Sequence, residues 1–278
     1  MHPSNFLRIR SYLTKGVVFL KVALFQMNIE WENKEKNFEK VENVISSAKE
    51  QGVQVLFLPE MTFTGFSMNI NITAEADRYT VERMKSVCKK YGLAVGFGWT
   101  EKCGEKAKNC YTVIDRNGNE LSTYVKIHPF SYAGEDNYFI KGDKIVTFDI
   151  DNTTFSNVIC YDTRFPELFQ AISKDERVKA IVIPANWPAK RAEHWKALVK
   201  ARAIENQTYI IAVNCVGEIG GNNYSGDSCV ITPDGQVQAM VSNQETLVCV
   251  ELDCDVEGLR NSFPVKKDRQ IDFYKGIL

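Results

Sequence analysis

Three polar residues close apolar segments of this chain: Glu60 after Val53 to Pro59, Lys126 after Ser122 to Val125, and Cys160 after Phe155 to Ile159. Ligands of layered α/β proteins collect at the carboxyl ends of strands, so these are positions where chemistry can sit. Each also has a plain structural reading: Glu60 as a cap for the next segment, Lys126 as a solvated strand end, Cys160 as a packed small hydrophobe. Brought together by the fold, they make a complete set for acyl transfer. A thiol attacks as thiolate, a form that a nearby ammonium favours. A carboxylate can take the thiol proton and return it to a leaving amine, while the ammonium and a backbone N–H stabilise the oxyanion. No histidine is needed for such a set.

The elements that must position these residues alternate in type. Lys21 to Met27 reads as a strand, and Glu35 to Gln51 as a helix with Phe38, Val41, Ile45 and Ala48 on one face and Gly52 as its stop. Val53 to Pro59 fits a strand buried on both faces. A second helix, Asp77 to Tyr91, carries Val81, Met84, Val87 and Tyr91 at helical spacing, stops at Gly92, and leads into the strand Leu93 to Trp99. Tyr111 to Asp115 and Glu120 to Lys126 flank Arg116-Asn117-Gly118-Asn119, a hairpin signal. The second half repeats the theme with strand Phe155 to Cys160, helix Pro166 to Lys174, strand Ala180 to Pro184, helix Arg191 to Asn206 and strand Tyr209 to Cys215. Val230 to Thr232 and Gln236 to Met240 then flank Pro233-Asp234-Gly235, and Thr246 to Leu252 closes the series. Helices between apolar strands, with hairpins added, indicate an α/β layered fold with mixed sheets. No linker-like stretch divides the chain, so we expect one domain over residues 21–278, preceded by a loose N-terminal extension over residues 1–20.

Composition narrows the function classes. The chain has 278 residues, 44% hydrophobic, with 34 Lys+Arg against 35 Asp+Glu and a formal net charge of -1. Charges this balanced give no global field to hold nucleic acid or an anionic membrane. No apolar run approaches the roughly 18 to 20 residues that span a bilayer. The 8 cysteines are scattered and form no C-x-x-C pair, and only 3 histidines are present to complete a zinc site, so no metal is expected and the thiols read as reduced, in a cytoplasmic protein. No G-x-G-x-x-G follows a strand and no Walker loop occurs, so no cofactor is expected either.

The residues around the three candidates resemble the nitrilase, or carbon–nitrogen hydrolase, superfamily. The matching segments are Leu58-Pro59-Glu60-Met61 with Thr64-Gly65-Phe66, then Tyr124-Val125-Lys126-Ile127-His128-Pro129-Phe130, and Ile159-Cys160-Tyr161-Asp162-Thr163-Arg164-Phe165-Pro166-Glu167. Pro184-Ala185-Asn186-Trp187-Pro188 and Arg202-Ala203-Ile204-Glu205-Asn206 follow, in the family's order, and the similarity runs from about Lys21 to Leu252. The resemblance implies a four-layer αββα sandwich with two mixed sheets, paired into a homodimer or a higher homo-oligomer, and a Glu-Lys-Cys triad. Carried onto this chain, Cys160 is the nucleophile, Glu60 the general base and acid, and Lys126 the oxyanion stabiliser, with the Tyr161 backbone N–H completing the oxyanion hole. The family's second glutamate corresponds to Glu135, expected to hold Lys126 and orient the substrate amide.

Asn186, Trp187, Phe66, Phe130 and Tyr132 are candidate lining residues of the pocket, and His128 and His194 read as structural. Arg164 is expected in a buried pair with a carboxylate. The helix Arg191 to Asn206 resembles the family's subunit-contact helix, with Arg202 and Glu205 ordering the interface. The Cys160 and Pro129-to-Asp136 segments look most like the ω-amidase branch, which deamidates small dicarboxylic monoamides such as α-ketoglutaramate and succinamate. The alternatives are a deaminated-glutathione or N-carbamoyl amide hydrolase, a true nitrilase, and a catalytically silent dimeric scaffold.

Overall fold

The computed structural model describes residues 19–277. Strand β1 (Phe19–Gln26) starts ahead of the boundary expected at Lys21, because Leu20 is fully buried and pairs with Leu252. The remainder of the expected extension, residues 1–18, lies outside the described residues. Helix α1 (Lys34–Glu50) follows, opened by Asn33, whose side chain accepts a hydrogen bond from the Lys36 N–H. Its expected face is buried, with Phe38, Val41, Ile45 and Ala48 all fully inside. After β2 (Val55–Phe57), helix α2 (Tyr79–Tyr91) ends at a left-handed Gly92 whose N–H returns to the Cys88 carbonyl. Then come β3 (Ala94–Cys103), β4 (Lys106–Ile114) and β5 (Glu120–Val125).

The second half runs through β6 (Thr147–Ile150), β7 (Thr153–Asn157), α3 (Pro166–Ile172), β8 (Val178–Ala185), α4 (Ala192–Asn206) and β9 (Tyr209–Asn214). It ends in β10 (Val216–Ile219), β11 (Asn222–Ile231), β12 (Val237–Ser242), β13 (Thr246–Asp253) and two short helices, Glu257–Ser262 and Ile271–Lys275. The first sheet is ordered β13-β1-β2-β3-β4-β5 and the second β10-β11-β9-β8-β7-β6, with β12 on β11. In each, a parallel centre joined by helices is flanked by antiparallel strands. Both sheets are therefore mixed.

The inner faces of the two sheets share one core. Leu24, Phe57 and Tyr111 of the first join Phe155, Ile181 and Ile211 of the second, and the Phe57 and Phe155 rings lie 6.0 Å apart. Helices α1 and α2 cover the outer face of the first sheet through Phe38, Ile45 and Met84, while Phe169, Trp195, Val199 and Ala203 of α3 and α4 cover the second. Full burial of each such large side chain stabilises by about 1.5–3 kcal/mol. The result is the expected αββα sandwich, with strand carboxyl ends from both sheets meeting at one rim.

Two expected strands are shorter than their apolar runs. β2 spans only Val55–Phe57, because the Gln54 side chain accepts from the Lys21 N–H and the chain turns away after Leu58. β7 stops at Asn157 rather than reaching Cys160. The short strands β6 and β10 were not expected; each is an edge of the second sheet and only 4 residues long. Among the described residues no helix is long and apolar enough to cross a membrane.

Candidate active site

Glu60 is delivered by the turn that leaves β2. The Leu58 N–H donates to the Gly96 carbonyl at 2.9 Å, Met61 takes a left-handed φ of 44°, and the Thr62 N–H donates to the Gly98 carbonyl at 3.1 Å. This folds the Glu60 segment against β3, and only glycine fits there: a Cβ on Gly98 would lie 2.2 Å from the Met61 nitrogen. Lys126 leaves β5 with its N–H donating to the Asn109 carbonyl on β4 at 2.9 Å, while its own carbonyl accepts from Gly142 at 2.8 Å. Glu135 begins a single helical turn, Glu135–Tyr138, after the left-handed Gly134. Glu60, Lys126 and Glu135 are all essentially without solvent contact.

These three form one buried cluster. The Lys126 Nζ donates to Glu60 Oε1 at 2.8 Å and to Glu135 Oε2 at 2.9 Å. Asn109 Nδ2 bridges the carboxylates, at 2.8 Å from Glu60 and 3.0 Å from Glu135. The remaining Glu60 oxygen accepts from the Asn186 N–H at 2.9 Å, and Glu135 Oε2 also accepts from the Phe130 N–H at 2.5 Å. A buried carboxylate without such donors would be costly, and here every oxygen has one.

Cys160 stands at the start of a tight 3-10 turn, Cys160–Arg164, with a left-handed φ of 44°. A non-glycine residue held there is strained, and such strain collects at functional sites. Asp162 holds the turn: its carboxylate accepts from the Ile159 N–H at 3.0 Å, from the Tyr124 hydroxyl at 2.8 Å, and from the His128 N–H and ring at 2.9 and 2.7 Å. The Cys160 turn and the Lys126 segment are thus tied through one buried carboxylate. From the other side, Arg202 of α4 donates to the Thr163 carbonyl at 3.0 Å. Among the described residues, no group accepts a hydrogen bond from the Tyr161 backbone N–H.

Several charges and burial act on the thiol at once. Burial, reinforced by the Glu60 charge, pushes the Cys160 thiol well above its ordinary range, and Lys126 opposes this without winning. Burial alone would depress Lys126, yet Glu135 and Glu60 hold it above the ordinary lysine range. Burial raises Glu135, with Lys126 pulling it down and Glu60 pushing it up. Two carboxylates around one ammonium already carry a net negative charge, so a third anion on sulfur is disfavoured until a proton acceptor and an electrophile are both in place.

Cys160 and Lys126 open on a cavity of about 210 Å³. Phe66, Phe130, Tyr132, Tyr161, Asn186 and Trp187 all line it, with Tyr132 79% exposed at the mouth. Arg164 departs from expectation. It forms no carboxylate pair among the described residues and instead lines the cavity, 4.6 Å over the Trp187 ring and 3.3 Å from His194 Nδ1, because the turn aims it across the pocket rather than into the core. Arg202, expected at a subunit interface, is 5% exposed and spent inside the chain on Thr163 and Glu205. Residues the sequence did not single out include Asn109, Asp162, Lys190 and Arg191. Lys190 and Arg191 carried a readable signal: cations immediately before a helix oppose its dipole, which asks for another reason to be there. Among the described residues no cluster of His, Cys, Asp and Glu is arranged to hold a metal ion.

A mixed two-sheet αββα sandwich with a lysine and a cysteine on one cavity, the lysine held from behind by two buried glutamates, defines the class that the motifs resemble. The family model for carbon–nitrogen hydrolases matches residues 21–261, and the chain belongs to that family. It is 32% identical to a 2-oxoglutaramate amidase of Bacillus subtilis (strain 168) over 91% of this chain and 98% of that protein. It is 29% identical to the omega-amidase YafV of Yersinia enterocolitica over 90% of this chain and 96% of that protein. The crystal structure of XC1258 from Xanthomonas campestris, a CN-hydrolase superfamily protein with an arsenic adduct in the active site, superposes with a TM-score of 0.85 at 27% identity, covering 91% of this chain and 98% of that one.

Proposed function

We propose that the protein is an ω-amidase, hydrolysing the terminal amide of small dicarboxylic monoamides such as α-ketoglutaramate and succinamate through a Cys160 thioester. The observation that carries this is the placement of Glu60, Lys126 and Glu135 in one hydrogen-bonded buried cluster whose Lys126 lines the same cavity as Cys160. The substrate class is supported by the 2-oxoglutaramate amidase and omega-amidase relatives.

In this reading Glu60 takes the Cys160 proton as sulfur attacks the amide carbon. A thiol pushed up by burial attacks with the help of such a general base. The carbonyl oxygen, now an anion, is met by the Lys126 ammonium and the free Tyr161 N–H. Glu60 then passes its proton to the departing nitrogen, ammonia leaves, and a thioester remains. Water gives its proton to Glu60 as it adds to the thioester carbon, the C–S bond breaks, and Glu60 returns a proton to sulfur. Glu135 is the residue that keeps Lys126 charged and in place.

Cytoplasmic location and a homodimer belong to the same reading. The first is supported by all eight cysteines being free, the second by Ile204, an apolar residue 46% exposed on α4.

The test is ammonia release from succinamate, α-ketoglutaramate, a simple aliphatic nitrile and an N-carbamoyl amino acid, with wild type and Cys160→Ala. Release from the two ω-amides that vanishes in the variant is expected. Release from another substrate alone removes the ω-amidase assignment, and undiminished activity in Cys160→Ala removes the mechanism.

A further inference from the structure

An ω-amide carries a carboxylate at the end that does not react, and something must hold it. The cavity above Cys160 is charged in a one-sided way. Lys126, Arg164, Lys190 and Arg191 line it and no carboxylate does. Lys126 is already neutralised by Glu60 and Glu135. Arg164 and Arg191 are not: neither is in an ion pair among the described residues. Each lies instead against aromatic walls, Arg164 at 4.6 Å from the Trp187 ring and Arg191 at 5.3 Å from the Phe130 ring. Stacking fixes the plane of a guanidinium while leaving N–H groups on its edge for a carboxylate, although Arg164 Nη2 also lies 3.3 Å from His194 Nδ1.

The two cations also tax each other. Burial lowers the Arg164 pKa and the Arg191 charge lowers it further. An arrangement that gathers unpaired guanidiniums in a half-buried site and withholds every anion is stabilised by an anion from outside. Lys190 and Arg191 add to this by preceding the N-terminus of α4, whose dipole has its positive end there. Arg164 is tied to the reacting centre by chain connectivity, since it closes the same 3-10 turn that Cys160 opens.

We propose that Arg164 and Arg191 together bind the distal carboxylate of the substrate and so select anionic ω-amides over neutral amides of the same length. This rests on the ω-amidase reading and names the residues that make it. Arg164 sets the carboxylate's position relative to the Cys160 turn, and Arg191 closes on it from the other wall. Lys190, an exposed lining residue, supplies field rather than a fixed contact.

The experiment compares kcat/KM for succinamate and butyramide, which differ by a carboxylate replaced with a methyl group, in wild type, Arg164→Gln, Arg191→Gln and the double variant. A hydrogen-bonded charge pair is worth a factor of about 10 to 100, so each single variant should reduce the succinamate-to-butyramide ratio by that much and raise KM for succinamate more than it lowers kcat. The ratio is internal to each protein, so a partly unfolded variant lowers both numbers and leaves it alone. Arg164→Lys should recover part of the ratio, because charge survives while the planar fork does not. If wild type prefers succinamate and both glutamine variants keep that preference, the clamp is overturned and the ω-amidase reading stands. If wild type shows no preference for succinamate, the substrate reading itself fails, and the clamp with it.

Discussion

Asn186 grips Glu60 at both ends. Its backbone N–H donates to Glu60 Oε2 at 2.9 Å and its side-chain Nδ2 donates to the Glu60 carbonyl at 2.6 Å. The two residues stand on different sheets, Asn186 just past β8 and Glu60 just past β2. The pair therefore pins the sheets together at the rim where the candidate site lies. Asn186 Oδ1 is in turn met by the Cys215 thiol at 3.2 Å.

Replacing Asn186 with alanine leaves the backbone N–H in place but strands a buried carbonyl. The expected loss of stability is about 1–3 kcal/mol, the cost of an unsatisfied buried polar group. Because the lost bond fixes the main chain at Glu60, kcat should fall with it, by roughly 10- to 100-fold for a displacement of this kind. Urea unfolding with steady-state ammonia release checks both. A midpoint and a kcat equal to wild type would mean that the backbone bond alone sets Glu60.

Glu135→Gln separates charge from shape. The amide keeps an oxygen for Lys126 and removes one negative charge from the cluster. Lys126 then has only Glu60 to hold it charged, and turnover should fall by about 100-fold, the scale of losing one well-placed electrostatic stabiliser. The Cys160 thiol should move the opposite way. Glu135 is one of the charges that push it up, so its pKa comes down and the thiolate fraction rises. Alkylation of Cys160 by iodoacetamide at about pH 8 should accordingly be faster in the variant while amide turnover is slower. Slower alkylation would show that Glu135 does not act on the thiol through charge.

The motifs around Glu60, Lys126 and Cys160 were legible because each is local: a strand, then a polar residue, within a few positions of sequence. The layer order was legible for the same reason, through apolar periodicity in Glu35 to Gln51 and in the second-half strands. Arg164 was misread because its partner depends on where a turn aims a side chain, and the left-handed backbone at Cys160 is invisible in residue types. Asn109 escaped notice because it lies on β4 beside the Lys126 strand, and cross-strand neighbours are set by register. Asp162 lies two residues beyond Cys160 in sequence, yet its role joins segments 34 residues apart. What the chain conceals is long-range side-chain geometry rather than the elements themselves.

Buried thiols should make the fold sensitive to alkali. Burial pushes the Cys88 thiol on α2 from its ordinary 9.0 up to about 12, and Cys229 on β11 is likewise pushed up to about 12. The unfolded chain releases these protons from about pH 9 upward, whereas the folded chain keeps them until about pH 12. Their contribution is therefore complete below pH 9 and is lost as pH rises through the window between the two values, at about 1.4 kcal/mol per pH unit for each thiol. Cys110 and Cys215 shift in the same direction and steepen the loss. Cys88→Ala removes one titrating group. It should be less stable than wild type at pH 7, having lost a fully buried side chain, yet lose stability more gradually above pH 9, by about 1.4 kcal/mol per pH unit. Urea unfolding between about pH 7 and pH 10.5 reads the slope directly, and parallel curves for the two proteins would mean that the Cys88 proton is not linked to folding.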